Sequence, residues 1–343
     1  MPDNNVAIRF VRTPGSGPLT ADVFDLAPDP LPTLGQGDIL VRSIYLSIDA
    51  GSRAQIDPHS DYVFKASLGD ILGCSGLVGE VVDSRHPGWR PGDLVATTRG
   101  RCARYQVLGE NPAQHTYKLD PGAAPLAAHL GILGMVGFTA YVGMFDIGQP
   151  AAADTVLVSA AAGATGSVAG QLAKIAGARV VGIAGGMEKC RLVVDEFGFD
   201  DCIDYKGGDL SAAIARACPD GVDVYYENVG GAIQKAAFAA MNDFGRIAMC
   251  GQIGQYSGAG AEPGPNLMCV VLKRLTIKGF LVRDHMARHG EFIANASRWY
   301  REGRLKHHAT VTRGLENFHE AINSLTEGRN VGKQLCQVAD EPG

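Results

Sequence analysis

The stretch of this chain with the clearest chemical meaning is Val156-Leu157-Val158-Ser159-Ala160-Ala161-Ala162-Gly163-Ala164-Thr165-Gly166-Ser167. An apolar run enters a turn made only of small residues, and the turn opens a helix. Small residues let backbone N–H groups approach a pyrophosphate, whose charge the helix N-terminus favours. The spacing is Ala160-x-x-Gly163-x-x-Gly166, with Ala161 where the commoner fingerprint has its first glycine. On its own such a motif is weak; a strand–turn–helix context inside a βαβ unit is what gives it force.

Which dinucleotide it serves is read after the next strand. Sites for the unphosphorylated cofactor put an acid about 20 residues past the glycines, to hold a ribose 2′-hydroxyl. Here the strand ends Ile183-Ala184-Gly185-Gly186, without a carboxylate. Lys189 follows, and Tyr205 and Lys206 stand at the end of the next strand. A cation and a phenol suit a phosphomonoester, so the expectation is NADP(H). The plain alternative for Lys189 is a solvated lysine at a helix start. Two further strand ends, Glu227-Asn228-Val229-Gly230-Gly231 and Cys250-Gly251-Gln252-Ile253-Gly254-Gln255-Tyr256, lie where open α/β sheets bind ligands. Asn228 can offer an amide to a ribose or carboxamide, cap the following helix, or do both.

These residues need a sheet to carry them, and the texture of the chain supplies two. Up to about Pro125 short β signals alternate with Pro/Gly clusters: Val6 to Val11, Asp38 to Ile48, Gly76 to Val82, Asp93 to Thr98 and Ala103 to Val107. That pattern predicts a compact β barrel or sandwich. From Thr155 strands and helices alternate, the strands nearly continuous in apolar residues, which predicts a doubly wound parallel sheet. The division expected is 1–125, completed by 306–343, and 126–305. The segment Arg274 to Val282 reads as a late, apolar edge strand open to pairing with another chain.

Composition narrows the class. In 343 residues, 46% are hydrophobic, 20% are charged and the formal charge is −5. This excludes a largely disordered chain and argues against nucleic acid as a partner. Uncharged apolar runs fall short of a bilayer span, so no membrane partner is expected. The N-terminal residues lack a signal-peptide layout. The eight cysteines contain no CxxC pair, which suits a reducing, cytoplasmic setting.

Several stretches in fixed order carry a resemblance. They are Leu46-Ser47-Ile48-Asp49, Gly88-Trp89-Arg90-Pro91-Gly92-Asp93-Leu94-Val95, Gly137-Phe138-Thr139-Ala140-Tyr141, Ala160 to Gln171, Asp204-Tyr205-Lys206, Glu227 to Gly231, Phe244-Gly245-Arg246-Ile247 and Asn330-Val331-Gly332-Lys333. The chain resembles the zinc-independent branch of the medium-chain dehydrogenase/reductase superfamily, in particular the leukotriene/prostaglandin reductases and related double-bond reductases. The resemblance implies a GroES-like β barrel domain, a Rossmann domain and a site in the cleft between them. It implies that Lys189 and Tyr205 hold the 2′-phosphate. It also implies that Ala162, Gly163, Thr165, Gly166, Gly185, Asn228, Cys250 and Asn330 line the cofactor, with Phe280 and Val282 doing so by backbone. Tyr256 would face the substrate, as a hydrogen-bond donor to developing charge or as a pocket wall. The implied reaction is reduction of the C=C bond of α,β-unsaturated ketones and aldehydes by a two-fold dimer. A quinone reductase of the same superfamily, or a non-catalytic NADPH-binding sensor or structural protein, are the competing readings. The chain departs from the family at Asp49-Ala50-Gly51-Ser52-Arg53, where Asp-Pro-Tyr-Met-Arg is usual, and this reshapes the expected pocket mouth.

Zinc is not expected. Where zinc-dependent relatives place a histidine ligand, this chain reads Gly73-Cys74-Ser75-Gly76, and Cys102 stands alone where a four-cysteine lobe would be. His307 and His308 are adjacent, so on an extended segment they diverge. Asp49 and Arg53 are expected to pair locally.

Overall fold

The structure is a computed structural model that describes residues 5–15, 17–31, 33–60, 64–109, 115–255 and 263–342. It divides into two compact units, one built mainly from Met1–Leu130 and Ala309–Gly343, the other mainly from Gly131–Gln255 and residues 263–308.

The second unit carries the small-residue turn. Its strands are β1 (Thr155–Ser159), β2 (Arg179–Ala184), β3 (Asp201–Asp204), β4 (Val222–Glu227), β5 (Met241–Met249) and β6 (Thr276–Gly279). All pair in parallel, in the order β3-β2-β1-β4-β5-β6. That is the doubly wound order, with its switch point between β1 and β4. The helices between the strands are α1 (Ala164–Ile175), α2 (Met187–Asp195), α3 (Leu210–Ala217) and α4 (Gly231–Ala240). Every residue of β1 is buried, as a strand covered by helices on both faces must be. Leu157, Val181, Ile203, Tyr225, Phe238 and Ile247 belong to one core cluster of this unit. Asp209 starts α3 by accepting from Ala212 N at 3.0 Å, an ordinary N-cap. The edge strand β6 spans only four residues, all exposed, against the longer Arg274 to Val282 expected from its apolar run.

The first unit is β-rich. Seven strands form one sheet, and Val6–Phe10 with Phe24–Pro28, and Gly73–Cys74 with Gly100–Arg101, form two short antiparallel ladders. Strand Ile39–Ser47 is central and pairs with Leu77–Ser84, Tyr105–Leu108 and Lys333–Gln337. Its burial does not alternate. Two register shifts against Leu77–Ser84 explain this: each bulge re-aims the side chains that follow. Ile39, Val41 and Leu46 enter one core while Ile44 and Tyr45 enter another. Ala309–Arg313 and Lys333–Gln337, late in the chain, complete this same sheet.

The local Asp49–Arg53 pair does not form. Arg53 instead pairs with Asp57 one helical turn on, at 3.0 Å, both side chains buried. Asp49 caps Ala50–Ala54 and bonds to Lys333, whose side chain is 1% exposed. The Lys333 Nζ also donates to the Ile48 carbonyl at 2.8 Å. A fully buried ammonium demands a counter-charge, and a carboxylate four residues from a guanidinium was the weaker claim on Asp49. His308 is exposed, whereas His307 is only half-exposed.

Candidate functional site

The turn between β1 and α1 begins with Ala160 at φ +50°. Ala161 N donates to the Ile183 carbonyl at 3.0 Å and Gly163 N to the Ala160 carbonyl at 2.8 Å, which folds the turn tightly over β2. Ala162 is buried, while Gly163 and Thr165 are half-exposed. Gly166 is buried, and a Cβ there would stand 2.3 Å from the Ala160 carbonyl oxygen. This glycine therefore lets α1 start directly against the strand end. Its first turn carries no acid and no side-chain cap among the described residues. The orphan N–H groups of a helix start are a ready anion site.

A second cluster forms at the ends of β2 and β3. A Cβ on Gly185 would lie 2.9 Å from the Tyr205 ring, so the glycine makes room for the phenol. Asp204 accepts from Gly186 N at 2.8 Å and from Lys206 N at 3.0 Å, fixing the two loop backbones together. Lys189, on the first turn of α2, is half-exposed. Burial and then the neighbouring Lys206 charge hold its pKa below the usual lysine range. The Lys206 ammonium sits 5.8 Å from the Tyr205 ring centroid, within cation–π range. Two cations pressed together beside a phenol make a site that a phosphomonoester would relieve.

Across the switch point, Asn228 and Cys250 stand at the ends of β4 and β5. Asn228 is tied to β1: its backbone N donates to Ser159 Oγ at 2.8 Å and its Nδ2 to the Ser159 carbonyl at 2.7 Å. Glu227, fully buried beside it, accepts at Oε1 from Val229 N at 2.6 Å and Gly230 N at 3.1 Å. Its carbonyl accepts from Cys250 N and Gly251 N at 3.0 and 3.1 Å. Burial pushes the Cys250 thiol up to about 11, with Tyr226 as its hydrogen-bond partner, so it stays a neutral thiol at physiological pH. Phe280 follows β6 directly and Val282 opens the short helix Val282–Arg288.

Gly185, Lys189 and Tyr205 thus come together, as do the turn residues with Asn228. Asn330 belongs to the first unit, where its Nδ2 donates to the Gly332 carbonyl at 3.0 Å. Tyr256 lies outside the described residues. The motif reading passed over Ser159 and Glu227. Their signal was present, since a carboxylate ending an apolar strand must find donors. Among the described residues no three His, Cys, Asp or Glu side chains are grouped to hold a metal ion, and no helix is long and apolar enough to cross a membrane. The residues fit a phosphorylated dinucleotide: an acid-free helix start for the pyrophosphate, and a paired-cation, phenol-lined corner for a phosphomonoester.

Residues 164–299 match a family model described as zinc-binding dehydrogenase, and residues 7–115 one described as the N-terminal domain of oxidoreductase. The NADPH-dependent curcumin reductase of Escherichia coli is 37% identical over 93% of this chain and 92% of its own length. The NADP(+)-dependent 2-alkenal reductase of Nicotiana tabacum is 38% identical over 90% of this chain and 89% of its own. Among solved structures, that of CurA in complex with NADPH from Vibrio vulnificus superposes with a TM-score of 0.90. It is 36% identical and covers 98% of this chain and 100% of its own. The chain belongs to the medium-chain dehydrogenase/reductase superfamily, among its NADP-dependent double-bond reductases.

Proposed function

We propose that this protein reduces the C=C bond of α,β-unsaturated ketones and aldehydes at the expense of NADPH. The observation that carries the cofactor is the Lys189–Lys206–Tyr205 corner at an acid-free strand end. The curcumin and 2-alkenal reductases named above supply the substrate class. NADPH, when bound, would supply a hydride for the β-carbon; the negative charge that develops on the carbonyl oxygen is discharged when the α-carbon takes a proton from solvent.

The chain's own part is to bind and orient. The α1 start and the small-residue turn hold the pyrophosphate, and Lys189 with Tyr205 holds the 2′-phosphate. Asn228, Cys250, Phe280 and Val282 line the remainder of the cofactor. Tyr256 donates a hydrogen bond to the developing oxyanion. Removing one such donor elsewhere costs about 2.7–4 kcal/mol. A ribose hydroxyl of the bound cofactor would remain as a second donor, so Tyr256→Phe should lower turnover by less, roughly 10- to 100-fold, with NADPH affinity kept. Unchanged turnover would make the phenol a wall. The donor set at Gly73-Cys74-Ser75 does not make a zinc site, so activity survives chelation.

A second copy of the chain packs on the β6 edge. All four β6 residues are exposed. Leu267, Met268, Val271, Leu272 and Leu281 beside it are each more than half exposed, at 63, 56, 68, 65 and 70%. An apolar surface of this kind on an open sheet edge is an association site. Light scattering at micromolar concentration should return a dimer, and a monomer would remove this part of the reading. All eight cysteines are free thiols, which supports a cytoplasmic setting.

The deciding experiment is NADPH oxidation followed at 340 nm with cyclohexenone, 2-alkenals and a quinone, before and after dialysis against phenanthroline. Turnover of enones and enals with conversion to the saturated carbonyl is expected. Turnover of the quinone alone would sink the assignment.

A further inference from the structure

Glu227 takes no part in the binding roles given above, yet it is the most completely buried carboxylate near the switch point. It is 0% exposed, and a charge at such depth persists only where donors surround it. Oε1 has three of them: Val229 N, Gly230 N and, at 3.2 Å, Ser159 Oγ. Oε2 and the Tyr225 hydroxyl are both buried, with the hydroxyl close to Glu227 and Ser159. The residue therefore joins the end of β1, through Ser159, to the loop that opens α4. Its carbonyl also holds the turn after β5, through Cys250 N and Gly251 N.

Asn228 sits inside this frame. Ser159 takes both of its N–H contacts, the backbone N at Oγ and the side-chain Nδ2 at the carbonyl. One of the two Nδ2 hydrogens is thereby committed, which fixes the plane of the amide and leaves Oδ1 and the second hydrogen to face outward. The Asn228 amide is then held in one orientation, with Oδ1 as an acceptor for a ligand hydroxyl or carboxamide N–H and the second Nδ2 hydrogen as a donor. The Ser159 hydroxyl accepts from Asn228 N, and its one proton lies between two acceptors, Glu227 Oε1 at 3.2 Å and the Tyr226 carbonyl at 3.3 Å, of which the carboxyl oxygen is the stronger.

We propose that Glu227 is a positioning residue that, through Ser159, sets the Asn228 amide to read the part of the dinucleotide remote from the 2′-phosphate. The sheet order supplies the distance. The phosphate corner lies at the ends of β2 and β3, whereas Asn228 ends β4, two strands from β2, or roughly 10 Å away. The proposal rests on the reading that this unit binds NADPH.

Calorimetric titration of NADPH and of 2′,5′-ADP tests it on Glu227→Gln and Ser159→Ala, two separate variants of the full chain. The fragment 2′,5′-ADP keeps the phosphate corner and lacks the remote half. Each substitution should weaken NADPH roughly tenfold and leave 2′,5′-ADP within twofold of wild type. Equal weakening of both ligands would mean general damage and would overturn the proposal, as would unchanged binding of both. If Glu227→Gln fails to fold, Ser159→Ala, which removes a single hydroxyl, decides alone by the same criteria. Failure of the wild-type protein to bind either ligand would instead bring down the cofactor reading on which the proposal stands.

Discussion

Two lysines in this molecule are handled in opposite ways. Lys333, in the first unit, is enclosed with its counter-charge: Asp49 and the Ile48 carbonyl take its ammonium, and Ser47 Oγ donates to the same carboxylate at 2.7 Å. Lys189, in the second unit, is half-exposed and set beside another cation, Lys206. The first arrangement is complete without a ligand. The second raises the local electrostatic cost, and a bound dianion lowers it. A cation enclosed with its counter-charge reads as architecture, and we read a half-exposed cation set beside a like charge as a binding site.

The largest effect that would break this contrast comes from Asp49→Ala. It strands a buried ammonium, which costs about 3–5 kcal/mol of stability, read by urea unfolding. Adding Lys333→Met should recover most of the loss, and failure to recover would mean Asp49 stabilises the fold in some other way. Burial works to raise the Asp49 pKa, and the Lys333 charge and hydrogen bond, with those of Ser75 and Ser47, overcome it and hold the carboxyl below the usual range. The pair's contribution is accordingly present above that range and fades only as pH falls through the depressed value. The Asp49→Ala variant should lose that acid-dependent part.

Lys189→Ala comes next. It should raise the Michaelis constant for NADPH roughly 10- to 150-fold, the worth of one charge-assisted contact, with NADH nearly unaffected. Equal change for both cofactors would dissolve the contrast. Tyr205→Phe removes only a neutral donor, so a roughly 2- to 10-fold loss in NADPH affinity is expected. The finest test is the alkaline limb of NADPH binding. Affinity falls as Lys189 loses its proton, at a pH lowered by burial and by Lys206. Lys206→Gln removes the like charge, so the limb should move to higher pH even if affinity at neutral pH drops. A limb that stays in place would mean the two ammonium groups are not coupled.

Much of this was readable from residue order. Apolar strands alternating with helices from Thr155 onward imply the parallel sheet, and the small residues Gly185-Gly186 imply a close approach at that strand end, where the Tyr205 ring lies against Gly185. Asp49 shows where such reading stops. Its real partner is 284 residues away, so proximity in sequence pointed to Arg53 instead. Glu227 is a similar case, because the serine that explains it lies 68 residues earlier. The bulged strand Ile39–Ser47 hid its two-core role because bulges break the alternation by which a buried face is recognised.

The pairing of Lys333–Gln337 with Ile39–Ser47 has a consequence for synthesis of the chain. Leu335 lies opposite Ser47 in that ladder, so the central strand of the first unit gains this neighbour only once residue 335 has been made. The sheet of the second unit is drawn from Thr155 to Gly279, all of which leaves the ribosome earlier. Non-local pairing is the slow part of folding, and an unpaired strand is the part that aggregates. The nucleotide-carrying unit can therefore finish first, and the early-made β-rich unit is the one that spends time open and in need of chaperones.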